Sequence, residues 1–195
     1  MRNNGESTLA KLDRAKIERA TQLLLEGLGQ DPKDPDYKDT PRRVFRLWKE
    51  LLTPKRVNYT SFRKYEAYGN MVILRGHQVI GVCPHHLLPV DMRVYVGYIP
   101  DKEVLGLSKL ARVAEEQLTD PITQEALTER IAARLRETVE PKGVAVIISG
   151  RHGCMRYRGV KTDADIVTSA MHGVFLTNPP AREEFMRIVY GRHHE

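Results

Sequence analysis

The residues best equipped for chemistry fall in two short runs, Cys83-Pro84-His85-His86 and Arg151-His152-Gly153-Cys154-Met155. The first puts two good zinc ligands at Cys-x-x-His spacing, and its proline bends the chain so that Cys83 and His86 face one ion while His85 points elsewhere. Cys154 offers a third soft ligand. If its segment is extended, His152 lies two residues away on the same face and brings an imidazole beside the metal. Three protein ligands of type Cys2His leave the fourth tetrahedral position open, which is the arrangement of a catalytic zinc, whereas a closed structural site needs one more ligand. The same residues also fit a structural metal completed by a fourth histidine, a disulfide, or cysteines buried for packing alone. His77, His172, His193 and His194 have no such company and read as surface or hydrogen-bonding residues.

What must position these groups is an ordinary globular chain. Its 195 residues are 41% hydrophobic and 29% charged, with only 14 Gly and 11 Pro, which excludes disorder, collagen and low complexity as the main theme and suits one core with a helical appendage. No apolar run approaches the roughly 18–20 residues that span a bilayer. Arg2, Glu6, Lys11, Asp13, Arg14 and Glu18 break up any apolar block near the start, so no signal peptide can be drawn and a cytoplasmic location is expected. Two cysteines among histidines, in a reducing compartment, favour metal or catalysis over a disulfide. The net charge of +6 suits nucleic acid, an acidic membrane surface or a phosphorylated small molecule. Basic residues are scattered, with Arg42, Arg43 and Arg46 the densest helical cluster and no lysine-rich arm, which leaves a small polyanion open.

Two helices precede the chemistry. Leu9, Leu12, Ile17, Ala20, Leu23, Leu24 and Leu28 recur at helical spacing from an N-cap at Ser7 or Thr8 to Gly27 and Gly29. Thr40 then caps, and Pro41 opens, a second helix with Val44, Phe45, Leu47, Trp48, Leu51 and Leu52 on one face. The appendage is thus expected over residues 1–55 and the catalytic domain over 56–195, with 55–70 as a linker. Met71–Leu74, Val79–Val82 and Val90–Ile99 read as strands, Leu107–Leu118 and Ile122–Val139 as helices, and Val144–Ser149, Cys154–Val160 and Val167–Phe175 as strands again, before a last helix over about 181–190. Strands, two helices, then strands is an α+β order without the regular alternation of a doubly wound sheet.

The ordered motifs Cys83-Pro84-His85-His86-Leu87-Leu88-Pro89, Tyr98-Ile99-Pro100, Gly106-Leu107-Ser108-Lys109-Leu110-Ala111-Arg112, Gln124-Glu125-Ala126-Leu127-Thr128, His152-Gly153-Cys154-Met155 and Arg158-Gly159-Val160 closely resemble the series of GTP cyclohydrolase I. Asp39-Thr40-Pro41-Arg42-Arg43-Val44 upstream and Thr168-Ser169-Ala170-Met171 downstream extend the likeness over about 35–190. The resemblance implies a tunnelling fold, an antiparallel sheet with two helices on one face, assembled as a ring-shaped homodecamer. It implies GTP as a small-molecule substrate, with neither nucleic acid nor membrane as partner. The reaction implied opens the guanine imidazole ring, releases C8 as formate and recloses to 7,8-dihydroneopterin triphosphate.

Under that resemblance Cys83, His86 and Cys154 hold Zn2+, whose Lewis acidity brings the pKa of water toward about 7. His85 and His152, which do not ligate, take general acid and base roles. Glu125 matches the guanine-binding glutamate, a carboxylate suited to the N1 and 2-amino donors of guanine. Ser108, Lys109, Arg112, Arg158 and Arg43 match positions that contact the triphosphate, and Ser108 and Lys109 stand at a helix start, where backbone amides favour anions.

The chain departs from the pattern at Pro84, where the family usually has glutamate, at Val90-Asp91-Met92 in place of a Phe-x-Gly turn, and at Arg151 and Gly153 around His152. Ligands, histidines and Glu125 all remain, so a divergent but active member is expected. Two other readings compete. One is a related zinc enzyme that stops at a ring-opened product, and the other is a noncatalytic zinc-stabilised nucleic-acid or interaction module, which leaves Glu125 and His152 without a role. A nucleoside deaminase is disfavoured, since its His-x-Glu with Pro-Cys-x-x-Cys pattern is absent.

Overall fold

The computed structural model describes residues 12–53, 57–63 and 70–191. The chain divides into two compact units, Met1–Thr53 and Pro54–Glu195. In the first, α1 (Arg14–Gly27) and α2 (Thr40–Leu52) pack together, with Leu25 and Leu52 buried and the Arg14 guanidinium 5.7 Å from the centre of the Phe45 ring. The N-cap expected at Ser7 or Thr8 lies outside the described residues. Helix α1 is instead capped at Asp13, whose carboxylate accepts from the Lys16 amide at 3.0 Å. The cap of α2 is Asp39 rather than Thr40. Its carboxylate is drawn 3.2 Å from the Arg42 guanidinium and makes no capping hydrogen bond, while Pro41 occupies the first turn as expected.

The second unit is built on four antiparallel strands in the order β2-β3-β5-β6 (here β2 is Val72–Val82, β3 Pro89–Ile99, β5 Gly143–His152 and β6 Ile166–Gly173). A separate pair joins β1 (Ser61–Arg63) to β4 (Glu103–Leu105), so the expected linker carries a short strand. Where the sequence suggests two strands over 71–82 there is one. A register shift between Leu74 and His77 absorbs the break, and Gly76, at φ +65°, supplies the left-handed backbone that a bulge there requires.

Alternation along β3 and β5 feeds two cores. On one face Val94, Val96, Tyr98, Val144, Val146 and Ile148 meet α3 (Leu107–Glu116) and α4 (Gln124–Val139) through Leu110, Val113, Leu127, Ile131 and Leu135. These α4 side chains are fully buried, each worth roughly 1.5–3 kcal/mol against exposure. On the other face Ala145 and Ile147 meet Phe175 of α6 (Val174–Thr177) and Phe185 and Val189 of α7 (Pro179–Tyr190). Phe185 lies so close to β3 that a Cβ on Gly97 would sit 2.6 Å from its ring. Coverage on both faces explains the unbroken apolar run 144–148.

The expected strand over 154–160 is absent. Strand β5 ends at His152, which pairs with Val90, and its other neighbour β6 begins at Ile166 opposite Gly150. Residues between them form the connection, opened by the single-turn helix α5 (Gly153–Arg156). A Cβ on Gly153 would stand 3.0 Å from the Pro89 carbonyl oxygen, so the tight exit needs glycine. No helix among the described residues is long and apolar enough to cross a membrane.

Candidate metal centre and its surroundings

The β2–β3 hairpin tip holds Cys83 through Leu88. Val82 pairs with Pro89, the Cys83 amide donates to the Leu88 carbonyl at 3.0 Å, and the Leu87 amide donates to the Cys83 carbonyl at 2.9 Å. Closing this loop drives Leu87 to φ +54°, a left-handed conformation that costs a side-chain-bearing residue on the order of 1–2 kcal/mol. The loop is therefore held in one shape against local strain. The second contributor is the first turn of α5, which carries Cys154. The donor atoms of Cys83, His86 and Cys154 all lie within 4.8 Å of one another.

Two thiols and an imidazole brought this close fit a borderline-soft divalent ion of the zinc type. Burial grades across the group, from Cys83 inside the core through half-buried Cys154 to exposed His86. The Cys154 thiol is pushed up by burial and by neighbouring Cys83, with Arg158 pulling the other way. The Cys154 thiol thus resists ionising beside Cys83. His85 is not one of the three grouped donors, and its Nδ1 lies 3.8 Å from Cys83 Sγ. Arg158, on the exposed turn before Gly159, places Nη1 2.7 Å from His86 Nε2.

A second group forms around His152 at the end of β5, two residues from Cys154 along the chain. Its Nε2 is 2.9 Å from Oε1 of Gln124, the buried first residue of α4. The Gln124 amide nitrogen donates to the Ile148 carbonyl at 3.0 Å, the Ile166 carbonyl at 2.9 Å and Thr168 Oγ1 at 3.1 Å. Those acceptors fix which end of the amide is oxygen, so His152 must donate from Nε2 and, when neutral, keep its lone pair on Nδ1. Gly150 makes room, because a Cβ there would meet Gln124 Oε1 at 2.2 Å. Burial holds the His152 pKa below its usual value, opposed by the charge of Glu125 in the first turn of α4.

The structure thus gathers Cys83, His85, His86, Cys154 and Arg158, and beside them along the chain His152 with Glu125. Ser108, Lys109 and Arg112 lie together at the start of α3 without a hydrogen bond or ion pair to the cysteine and histidine group among the described residues. The Lys109 amide is taken by the Gly106 carbonyl at 2.8 Å, so it is not among the amides available to an anion. Arg43 is exposed on α2 in the other unit. Within its motif Gln124 carries no expected role, and the structure supplies one. A glutamine opening an apolar helix, with glycine two residues before the histidine, was the signal available.

Fold and site define an α+β protein with three donors grouped so that they could hold a metal, flanked by further histidines. The family model described as GTP cyclohydrolase I matches residues 17–190, and the chain belongs to that family. It is 42% identical over 181 residues to GTP cyclohydrolase 1 of Aquifex aeolicus (strain VF5), covering 92% of this chain and 98% of that protein. It is 43% identical over 179 residues to GTP cyclohydrolase 1 of Sulfurihydrogenibium sp. (strain YO3AOP1), covering 91% and 96%. The corresponding protein of Halalkalibacterium halodurans is 38% identical over 190 residues, covering 94% and 100%.

Proposed function

We propose that this chain hydrolyses the imidazole ring of GTP, releases C8 as formate and recloses the remainder to 7,8-dihydroneopterin triphosphate. The observation that carries the reading is the convergence of Cys83, His86 and Cys154 in a member of this family. Cys83, His86 and Cys154 would hold zinc, which supplies, when bound, the Lewis acidity that brings the pKa of water toward about 7.

The chain's own residues do the rest. His152, aimed by Gln124 through Nε2, presents Nδ1 to accept or deliver a proton at a purine nitrogen. His85 moves the second proton that formate release requires, a role supported by its exposure beside Cys83. Glu125 accepts from guanine N1–H and the 2-amino group, a pattern adenine lacks. Ser108, Lys109, Arg112 and Arg158 bind the triphosphate, which gives the net charge of +6 a use. The domain boundary near residue 55, a cytoplasmic location and assembly as a ring-shaped homodecamer belong to the same reading, supported by family membership.

Incubation of metal-analysed protein with GTP tests it. Formate and the pterin triphosphate should appear in equal amounts. Formate without pterin would assign a ring-opening enzyme, and bound zinc with no formate would assign a noncatalytic module.

A further inference from the structure

The contact between Arg158 and His86 bears on how the centre is loaded. A guanidinium has donors and no acceptor, so at 2.7 Å Arg158 Nη1 must donate to a lone pair on His86 Nε2. A neutral imidazole has one such ring lone pair. If a metal uses Nε2, Arg158 already holds that pair; if it uses Nδ1, the proton must move to Nε2, where it would face the N–H of Arg158. By either nitrogen, ligation by neutral His86 and this hydrogen bond are alternatives.

We propose that Arg158 is a positioning residue that competes with the metal for His86, so that metal entry and release of the Arg158 guanidinium are one event. This rests on reading Cys83, His86 and Cys154 as a metal site. Arg158 is suited to the part, being exposed and set on a turn beside Gly159 at φ +61°. Once displaced, the guanidinium is available to an anion, and by linkage an anion that holds it there strengthens the metal in equal measure.

The test is the zinc dissociation constant of the full chain, stripped and titrated against a chromophoric chelator at fixed pH, for the natural protein, Arg158→Met, Arg158→Ala and Arg156→Met. Arg156 is a control that removes the same charge, its guanidinium being paired with Asp163 at 2.7 Å. Both Arg158 variants should bind zinc about fivefold more tightly, the worth of one lost competing hydrogen bond, and Arg156→Met should not. A structural role for Arg158 predicts the opposite sign. Unchanged or weaker binding in the Arg158 variants, or equal tightening in Arg156→Met, would overturn the competition. Failure of every variant and the natural protein to bind zinc would instead overturn the metal site itself.

Discussion

Along β5, Val144, Val146 and Ile148 are sealed under α4, and Ala145 and Ile147 under Phe175 and Phe185. A few residues further on the same strand turns polar. Ser149 and Arg151 bond Asp165 at 3.0 and 2.9 Å, His152 bonds Gln124, and the chain then turns sharply to deliver Cys154. The apolar end derives its stability from burial, which is nondirectional and tolerant of composition. The polar end depends on particular atoms, because each buried donor needs its own acceptor. Damage to the first should therefore cost folding and spare chemistry, and damage to the second should do the reverse.

The largest effect expected is on the polar end. Cys154→Ala should lower turnover of GTP at least about a thousandfold, the several kcal/mol that metal chemistry supplies, with a melting temperature within about 3 °C of the natural protein. A large loss of stability would mean that the two ends are not separable. At the apolar end, Phe185→Ala should cost about 3–5 kcal/mol in urea unfolding while the folded fraction keeps its zinc affinity. Weakened zinc binding there would mean that the apolar core also positions the metal ligands.

Gln124→Ala sits between the two and should show both signatures. Loss of the hydrogen bond to His152 should lower turnover about 10- to 100-fold, and the unpaired carbonyls of Ile148 and Ile166 should cost about 1–3 kcal/mol. Turnover lowered with stability unchanged would show that water replaces the amide at those carbonyls. The smallest effect belongs to neither end. Burial pushes the Asp120 carboxyl up, but hydrogen bonds from Arg130 at 2.6 Å and from Thr119 at 2.9 Å outweigh it and hold the pKa below its usual value. This contribution is full above the unfolded pKa of about 3.9 and is lost as pH falls through the folded value. Asp120→Asn should therefore lower stability by less than about 1 kcal/mol at neutral pH and flatten its fall below about pH 4.

Much of this division was legible in the residues. The apolar run 144–148 and the alternation in Val94, Val96 and Tyr98 announced a sheet, because burial is written in period and composition. The three donors were legible because few residue types bind a soft ion. What the sequence hid depended on partners distant along the chain. Residues 154–160 were expected as a strand, but β5 already has β3 and β6 as neighbours, and the segment instead forms α5 and the connection between β5 and β6. Gln124 reads as one more polar residue at a helix start until Ile148, Ile166, Thr168 and His152 converge on its amide. His85 stays out of the three-donor group, as the spacing suggested, but its 3.8 Å contact with Cys83 depends on the folded hairpin tip.

On the proposed function, the cysteine and histidine cluster holds the metal with which GTP is opened. Stripping the full chain with a chelator and restoring zinc in measured steps, while following formate and the pterin triphosphate from GTP, tests it most directly. Both products should vanish on stripping and return in proportion to zinc until one ion is bound per chain, with Cys154→Ala failing to recover. Full formate release by the stripped protein, or full recovery in the Cys154 variant, would contradict it.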